Sequence, residues 1–189
     1  TGKLDEAWGY QWVPDKPDVR GVRKFETASG MAVSDKFVFV SDSKAKVIRR
    51  FDRTTSAEKP FSLAPVIDEP LDLAIGKNGN LLVLTNKGVV EIDPDGKLLR
   101  NPLITGIVGP QGIDVDPFTG DIYVSLSGTP AKPVNQIWQY TAEGKATGAK
   151  LGRGGDFNGR WTPDTFAFAT GSADFTIDAS GGIWVNTGL

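Results

Sequence analysis

The sequence predicts an all-β chain built from repeated antiparallel sheets. Two observations carry this. Short runs of β-branched, aromatic and aliphatic residues alternate with turns, and the 189 residues include 23 Gly and 12 Pro, as a turn-rich β protein needs. One hairpin pattern then recurs four times along the chain. Its clearest copy is Val108–Val124, where Ile113 and Val115 precede Asp116-Pro117-Phe118-Thr119-Gly120 and Ile122, Tyr123 and Val124 follow. Proline presets φ in such a turn and glycine accepts positive φ, so the two flanking runs are returned antiparallel.

The other copies run through Ser34-Asp35-Lys36 into Phe37–Val40, through Lys77-Asn78-Gly79-Asn80 into Leu81–Leu84, and through Ser180-Gly181-Gly182 into Ile183–Val185. The last Val of each hairpin lies at 40, 83, 124 and 185. A period near 40 made of short strands is the signature of β-propeller blades, and its regularity argues against the alternative, a β-sandwich. The fold expected is therefore a β-propeller of four-stranded antiparallel blades, about three and a half of them in this chain.

Each repeat continues in the same order. After strands A and B comes a third strand, C, at Val47–Phe51, Gly88–Ile92 and Gln136–Tyr140. A turn follows at Asp52–Thr55, Asp93–Lys97 and Thr141–Lys145, then a less apolar outer strand D. Strand B is apolar at nearly every position, which suits a strand in mid-blade covered on both faces. The chain is read as a single partial propeller domain over 1–189, with repeats at about 1–27 (partial), 28–66, 67–106, 107–171 and 172–189 (partial). Three and a half repeats leave an open edge. The expectation is a piece of a larger propeller; a closed four-bladed ring, or two chains completing one ring, is the alternative.

These residues resemble the NHL-repeat family of β-propellers. Pro110-Gln111-Gly112-Ile113-Asp114-Val115-Asp116 with Gly120-Asp121-Ile122-Tyr123-Val124 carries the likeness best, and Asn78–Val83 and Val40-Ser41-Asp42 carry it in part. The resemblance implies a fold, possible membership of a six-bladed ring, and an exported protein, periplasmic or extracellular. It does not imply one activity, because propellers host many.

Composition narrows the chemistry. With no His and no Cys, the commonest general base, thiol nucleophiles, disulfides and Cys zinc sites are all absent. The net charge of −2 gives no general attraction to nucleic acid, and no apolar run is long enough to span a bilayer.

Strand alternation places the A–B and C–D turns on one face and the B–C and D–A connections on the other. Length gathers in the second set, at Gly9–Ala28, Gly152–Ser172 and Leu126–Asn135. Long connections on a rigid scaffold are where binding usually resides. The candidate ligand-binding residues are accordingly Tyr10, Trp12, Arg153, Asp156, Arg160, Trp161 and Asp164, since aromatic and Arg side chains dominate binding hot spots. Trp12 and Trp161 folding inward to pin their own loops is the competing reading. The function expected is non-catalytic binding of a protein, glycan or small molecule on this face, with self-association through open blade edges as a further expectation.

Strand A lines the channel of a propeller. Asp72, Gln111 and Asp174 are read as equivalent there, with Gly30 in the first copy. Asp72 and Asp174 are the candidate metal ligands, for Ca²⁺ held by oxygen. This echoes propeller lactonases of the gluconolactonase type, whose Glu-Gly-Pro signature is only partly met by Glu69-Pro70 and Gly109-Pro110. That resemblance implies a divalent-cation-dependent hydrolase as the alternative function. The competing reading is that these carboxylates bond backbone amides or water. Lys44, Lys46, Arg49, Arg50 and Arg53 form a basic cluster, read as a solvated outer strand, with an RNA-binding NHL module as the second alternative.

Overall fold

The computed structural model describes residues 25–61, 67–155, 166, 168, 174–177 and 178–186. Three four-stranded antiparallel sheets and one two-stranded sheet follow each other in chain order. Blade 1 is β1 (Ala28–Val33), β2 (Phe37–Asp42), β3 (Val47–Asp52) and β4 (Glu58–Lys59). Blade 2 is β5 (Pro70–Ile75), β6 (Leu81–Thr85), β7 (Gly88–Ile92) and β8 (Leu98–Ile104). Blade 3 is β9 (Pro110–Val115), β10 (Ile122–Thr129), β11 (Lys132–Tyr140) and β12 (Ala146–Leu151). Blade 4, among the described residues, is the hairpin β13 (Asp174–Ile177) and β14 (Ile183–Asn186).

Every sheet is an up-and-down meander, and the first strands neighbour one another in series, β1 on β5, β5 on β9 and β9 on β13. This is the blade-by-blade arrangement the repeat period predicts. Burial is deepest in the middle strands of blade 2 and least in the outer strands of blades 1 and 3. All five residues of β6 and of β7 are buried, whereas β12 is exposed throughout.

The two-residue period of the strands explains how the core is assembled. Leu81 and Val83 point one way and pack with Phe39 and Ile48 of blade 1. Leu82 and Leu84 point the other way and pack with Ile113, Val115, Ile122 and Val124 of blade 3. Tyr123 and Ile137 of blade 3 then meet Phe175, Ile177 and Ile183 of blade 4. Each blade thus has a leading face turned to its predecessor and a trailing face turned to its successor. Both must be apolar, which is why the middle strands do not alternate in polarity.

The turns form as their chemistry requires. Asp116 Oδ1 accepts the backbone N–H groups of Phe118 (2.7 Å) and Thr119 (3.1 Å). Asp178 Oδ1 accepts those of Ser180 (2.8 Å) and Gly182 (2.9 Å). Gly120 closes the blade 3 turn at φ 81°, a conformation other residues rarely adopt.

One expectation is corrected here. Leu126–Asn135 is not a long loop: β10 and β11 stay paired out to Thr129 opposite Lys132. Gly128, at φ 78°, absorbs an irregularity that shifts the register and lets the hairpin continue. Among the described residues no helix is long and apolar enough to cross a membrane.

Candidate functional site

The first strands of the four blades stand side by side, so equivalent positions form rows across the channel. The backbone bonds that close the A–B turns, Ser34 N–H to Phe37 O, Gly76 to Asn80, Asp116 to Asp121 and Asp178 to Gly182, fix the alignment. One row then reads Gly30, Asp72, Gly112, Asp174. Gln111 is not in it, contrary to the sequence expectation. The register of β9 shifts between Gly112, opposite Ser125, and Pro110, opposite Leu126, leaving Gln111 in the bulge. Its amide donates weakly within its own hairpin, to Gly109 O and Ser127 Oγ (both 3.4 Å).

The alternation of Gly and Asp has a steric cause. A Cβ on Gly30 would lie 2.3 Å from Asp72 Oδ1, and one on Gly112 would lie 2.7 Å from Asp174 Oδ1. Each carboxylate therefore occupies the space its neighbour's missing side chain leaves. From there Asp72 Oδ2 accepts the backbone N–H of Ile113 at 2.9 Å, linking blade 2 to blade 3. Asp114, one position further along the same face, repeats the link to blade 4. Its Oδ2 accepts from Ile177 N–H (2.7 Å) and Thr176 Oγ1 (2.9 Å). Asp114 was not singled out from the sequence; the first Asp of Gly112-Ile113-Asp114-Val115-Asp116 was the available signal.

The same strands border two cavities. One, of about 770 Å³, runs along Ala28, Met31, Val33, Val38 and Val40 and reaches Asp72 and Asp174. The other, of about 360 Å³, includes Asp72, Asp114, Asp174 and Thr176. Among the described residues no Lys or Arg lines either. Burial pushes the Asp72 carboxyl up to about 7, against the pull of the Ile113 and Leu73 N–H groups and with the help of the Asp174 and Asp114 charges.

Ca²⁺ takes about six to eight oxygen ligands. Here Asp72 Oδ2 and Asp174 Oδ1 already accept backbone N–H groups, the latter from Phe175 (2.8 Å), and Asp114 is engaged by blade 4. Among the described residues no group of three or more Asp or Glu is placed to hold a metal ion. The Asp72–Asp174 pair does not by itself fit a calcium site.

Of the loop candidates, Tyr10, Trp12, Asp156, Arg160, Trp161 and Asp164 lie outside the described residues. Arg153 is exposed on a tethered segment. Gln136 Nε2 donates to Gly152 O (3.0 Å), Asn135 Nδ2 to Gly155 O (3.0 Å), and Gly155 N–H to Val134 O (3.1 Å). The other side of Asn135, which is buried, accepts Phe168 N–H at 3.1 Å. Asp42 fastens a loop in the same way, accepting from Glu26, Thr27 and Ala45 N–H. Burial opposes its ionisation, and those three bonds with the Arg49 charge outweigh it, so its carboxyl stays below the usual range.

The basic cluster meets carboxylates. Lys46 pairs with Asp68 (2.8 Å), Arg49 with Glu58 (2.7 Å), Arg50 with Asp95 (3.0 Å) and Lys44 with Glu26 (3.8 Å). Arg50 also lies over the Phe37 ring at 4.6 Å.

No known family pattern and no curated protein matches the chain. Solved structures do. A streptogramin B lyase superposes with a TM-score of 0.57 at 19% identity, over 85% of this chain and 48% of its own. A nidogen/laminin complex gives 0.59 at 20%, over 81% and 53%. A protein of unknown function from Bacteroides caccae gives 0.55 at 16%, over 90% and 56%. At such identities the likeness speaks to the fold alone. The fold is that of a β-propeller, and this chain spans about half the length of the structures it matches.

Proposed function

We propose that this chain is part of an NHL-like binding propeller without a catalytic centre, holding a protein, glycan or small-molecule ligand on the face where its long connections gather. One observation carries the reading. The channel carboxylates Asp72 and Asp114 are engaged by the backbone of the next blade, so they serve the joints between blades. Recognition is then left to the connections. Arg153 supports this, because three hydrogen bonds around it hold an exposed cationic side chain on a fixed piece of backbone. The structural neighbours include both a lyase and a protein complex, so the fold is compatible with binding and with catalysis alike.

The test is capture on the immobilised chain, from a lysate and from a glycan array. Arg153→Ala combined with Trp161→Ala should abolish capture and leave the melting temperature unchanged. Capture that survives the double substitution contradicts the reading. The RNA alternative has little support, because four cations of the basic cluster are paired with carboxylates.

A further inference from the structure

The A–B turn of blade 2 carries Asn78-Gly79, one of two Asn-Gly steps in the sequence; the other, Asn158-Gly159, lies outside the described residues. An Asn followed by Gly is the pair most open to attack by the chain on its own side chain. The Gly nitrogen carries no neighbouring side chain to bar its way to the Asn Cγ. Asn78 and Gly79 are both exposed, and a Cβ placed on Gly79 would meet nothing within 4 Å.

The fold restrains both partners of that attack. Asn78 Nδ2 donates to Glu91 Oε1 at 2.8 Å, and Asn78 Oδ1 accepts Asn80 N–H at 3.1 Å, so the carboxamide is fixed at both ends. The attacking nitrogen is fixed too, since Gly79 N–H donates to Gly76 O at 2.8 Å. Both groups must be released before they can meet.

Glu91 also anchors a contact between blades. Its other oxygen accepts from Arg100, whose guanidinium reaches on to Ala142 O of blade 3 at 3.3 Å. Ala142 is the second residue of its C–D turn. Pro94, the equivalent residue of blade 2, is met in the same way by Arg50 of blade 1 at 2.6 Å. Arg50 and Glu91 hold the same place in their third strands, opposite Phe39 and Leu82. A guanidinium thus crosses each of these two junctions, and between blades 2 and 3 it does so on the support of Glu91.

We propose that Asn78 is a site of spontaneous deamidation restrained by Glu91, and that its conversion loosens the joint between blades 2 and 3. Gly79 N bonds to Asn78 Cγ, the Cγ–Nδ2 bond breaks, and Nδ2 leaves as ammonia with the proton from Gly79. Water then opens the succinimide at either carbonyl, which leaves aspartate or isoaspartate. Aspartate sets a carboxylate where a donor stood 2.8 Å from Glu91 Oε1. Isoaspartate adds a methylene to the backbone of a turn closed by Gly76 N–H to Asn80 O at 2.8 Å. Either product deprives buried Glu91 of a donor and sets a second negative charge near it, which displaces the support of Arg100.

Tryptic mapping of the full chain, kept folded in mildly alkaline buffer, tests this. Trypsin releases Asn78–Lys87 and Gly154–Arg160 as separate peptides, so the one-dalton gain of each Asn-Gly step is read apart. Asn78 should convert in the folded wild type about a hundredfold more slowly than in the chain unfolded in guanidinium, the worth of the two hydrogen bonds that must open. Glu91→Ala should quicken the folded conversion about tenfold, the worth of one hydrogen bond to a charged group. Arg100→Ala breaks the same ion pair but leaves Asn78 its acceptor, and should stay close to wild type. If Glu91→Ala misfolds, Glu91→Gln, which offers a neutral acceptor, should still quicken conversion a few-fold. Asn78→Asp, the product itself, should melt below wild type at neutral pH, and the gap should narrow in acid as the two carboxylates take up protons. The proposal is overturned if folded Asn78 converts as fast as unfolded, or does not convert over hundreds of unfolded-chain half-lives. It is overturned equally by Glu91 variants that convert no faster than Arg100→Ala, or by an Asn78→Asp chain that melts like wild type.

Discussion

Asp72 and Ile113 join two blades that share no sheet: the Asp72 carboxylate accepts the Ile113 backbone N–H at 2.9 Å, from one first strand to the next. An amide on the channel edge of a first strand has no strand partner there. The Asp supplies its acceptor, and Gly30 supplies the room.

That bond places a carboxylate among buried backbone and two other acids, which is why its pKa rises to about 7. The folded value lies above the unfolded value of about 4. The contribution to stability is therefore fully present below about pH 4 and is lost as pH rises through about 7. Asp72→Asn keeps an acceptor and removes the charge. It should melt higher than wild type at pH 8, by an amount on the order of 2 kcal/mol after allowing for solvent on the cavity side, and equal to wild type near pH 4. A difference independent of pH would contradict this.

Substituting the paired glycines should give unequal effects. A Cβ at Gly30 would meet Asp72 Cα at 2.5 Å, which is backbone, so Gly30→Ala should cost about 2–3 kcal/mol in urea unfolding. At Gly112 the nearest atom is the end of the Asp174 side chain. Gly112→Ala should cost about 1 kcal/mol, and Asp174→Ala in the same chain should recover most of it.

Glu91 is the buried charge of blade 2, at 2% exposure. Burial pushes its carboxyl up, and hydrogen bonds from Arg100, Asn80 and Asn78 outweigh that and hold it below the ordinary value. Its contribution is present above about pH 4.5 and lost as pH falls through the lower folded value. Glu91→Ala should cost about 3 kcal/mol at pH 7, because Arg100 and both amides lose their acceptor, with a smaller loss at pH 3.

The calcium reading makes its own prediction. If Asp72 and Asp174 held the ion, adding Ca²⁺ should raise the melting temperature by several degrees and EDTA should reverse it. The blade-joining role predicts a change below about 1 °C in both.

The blades were legible in the sequence because their turns announce themselves. Asp116, Gly120 and Gly181 each fill a role that backbone geometry imposes, and the strands between such turns could be counted. The row across the channel was misread at Gln111: the first strands of blades 2 and 3 carry the same irregularity after Pro70 and Pro110, so aligning the two prolines sets Gly112, not Gln111, level with Asp72. Asp72 was visible as a channel carboxylate, but its acceptor role was one of two readings. Choosing between them needs the neighbouring blade, 41 residues away in the chain. The extended β10–β11 hairpin was hidden by Gly128, Pro130 and Pro133, which look like loop residues and here sit at or beside paired positions.

Amide hydrogen exchange followed by NMR tests the blade joints most directly. The Ile113 and Ile177 amides should be protected in the wild type, although neither has a strand partner on the channel side. Asp72→Ala should release Ile113 alone, and Asp114→Ala should release Ile177 alone. Rapid exchange of both amides in the wild type, or protection that survives both substitutions, would contradict the account.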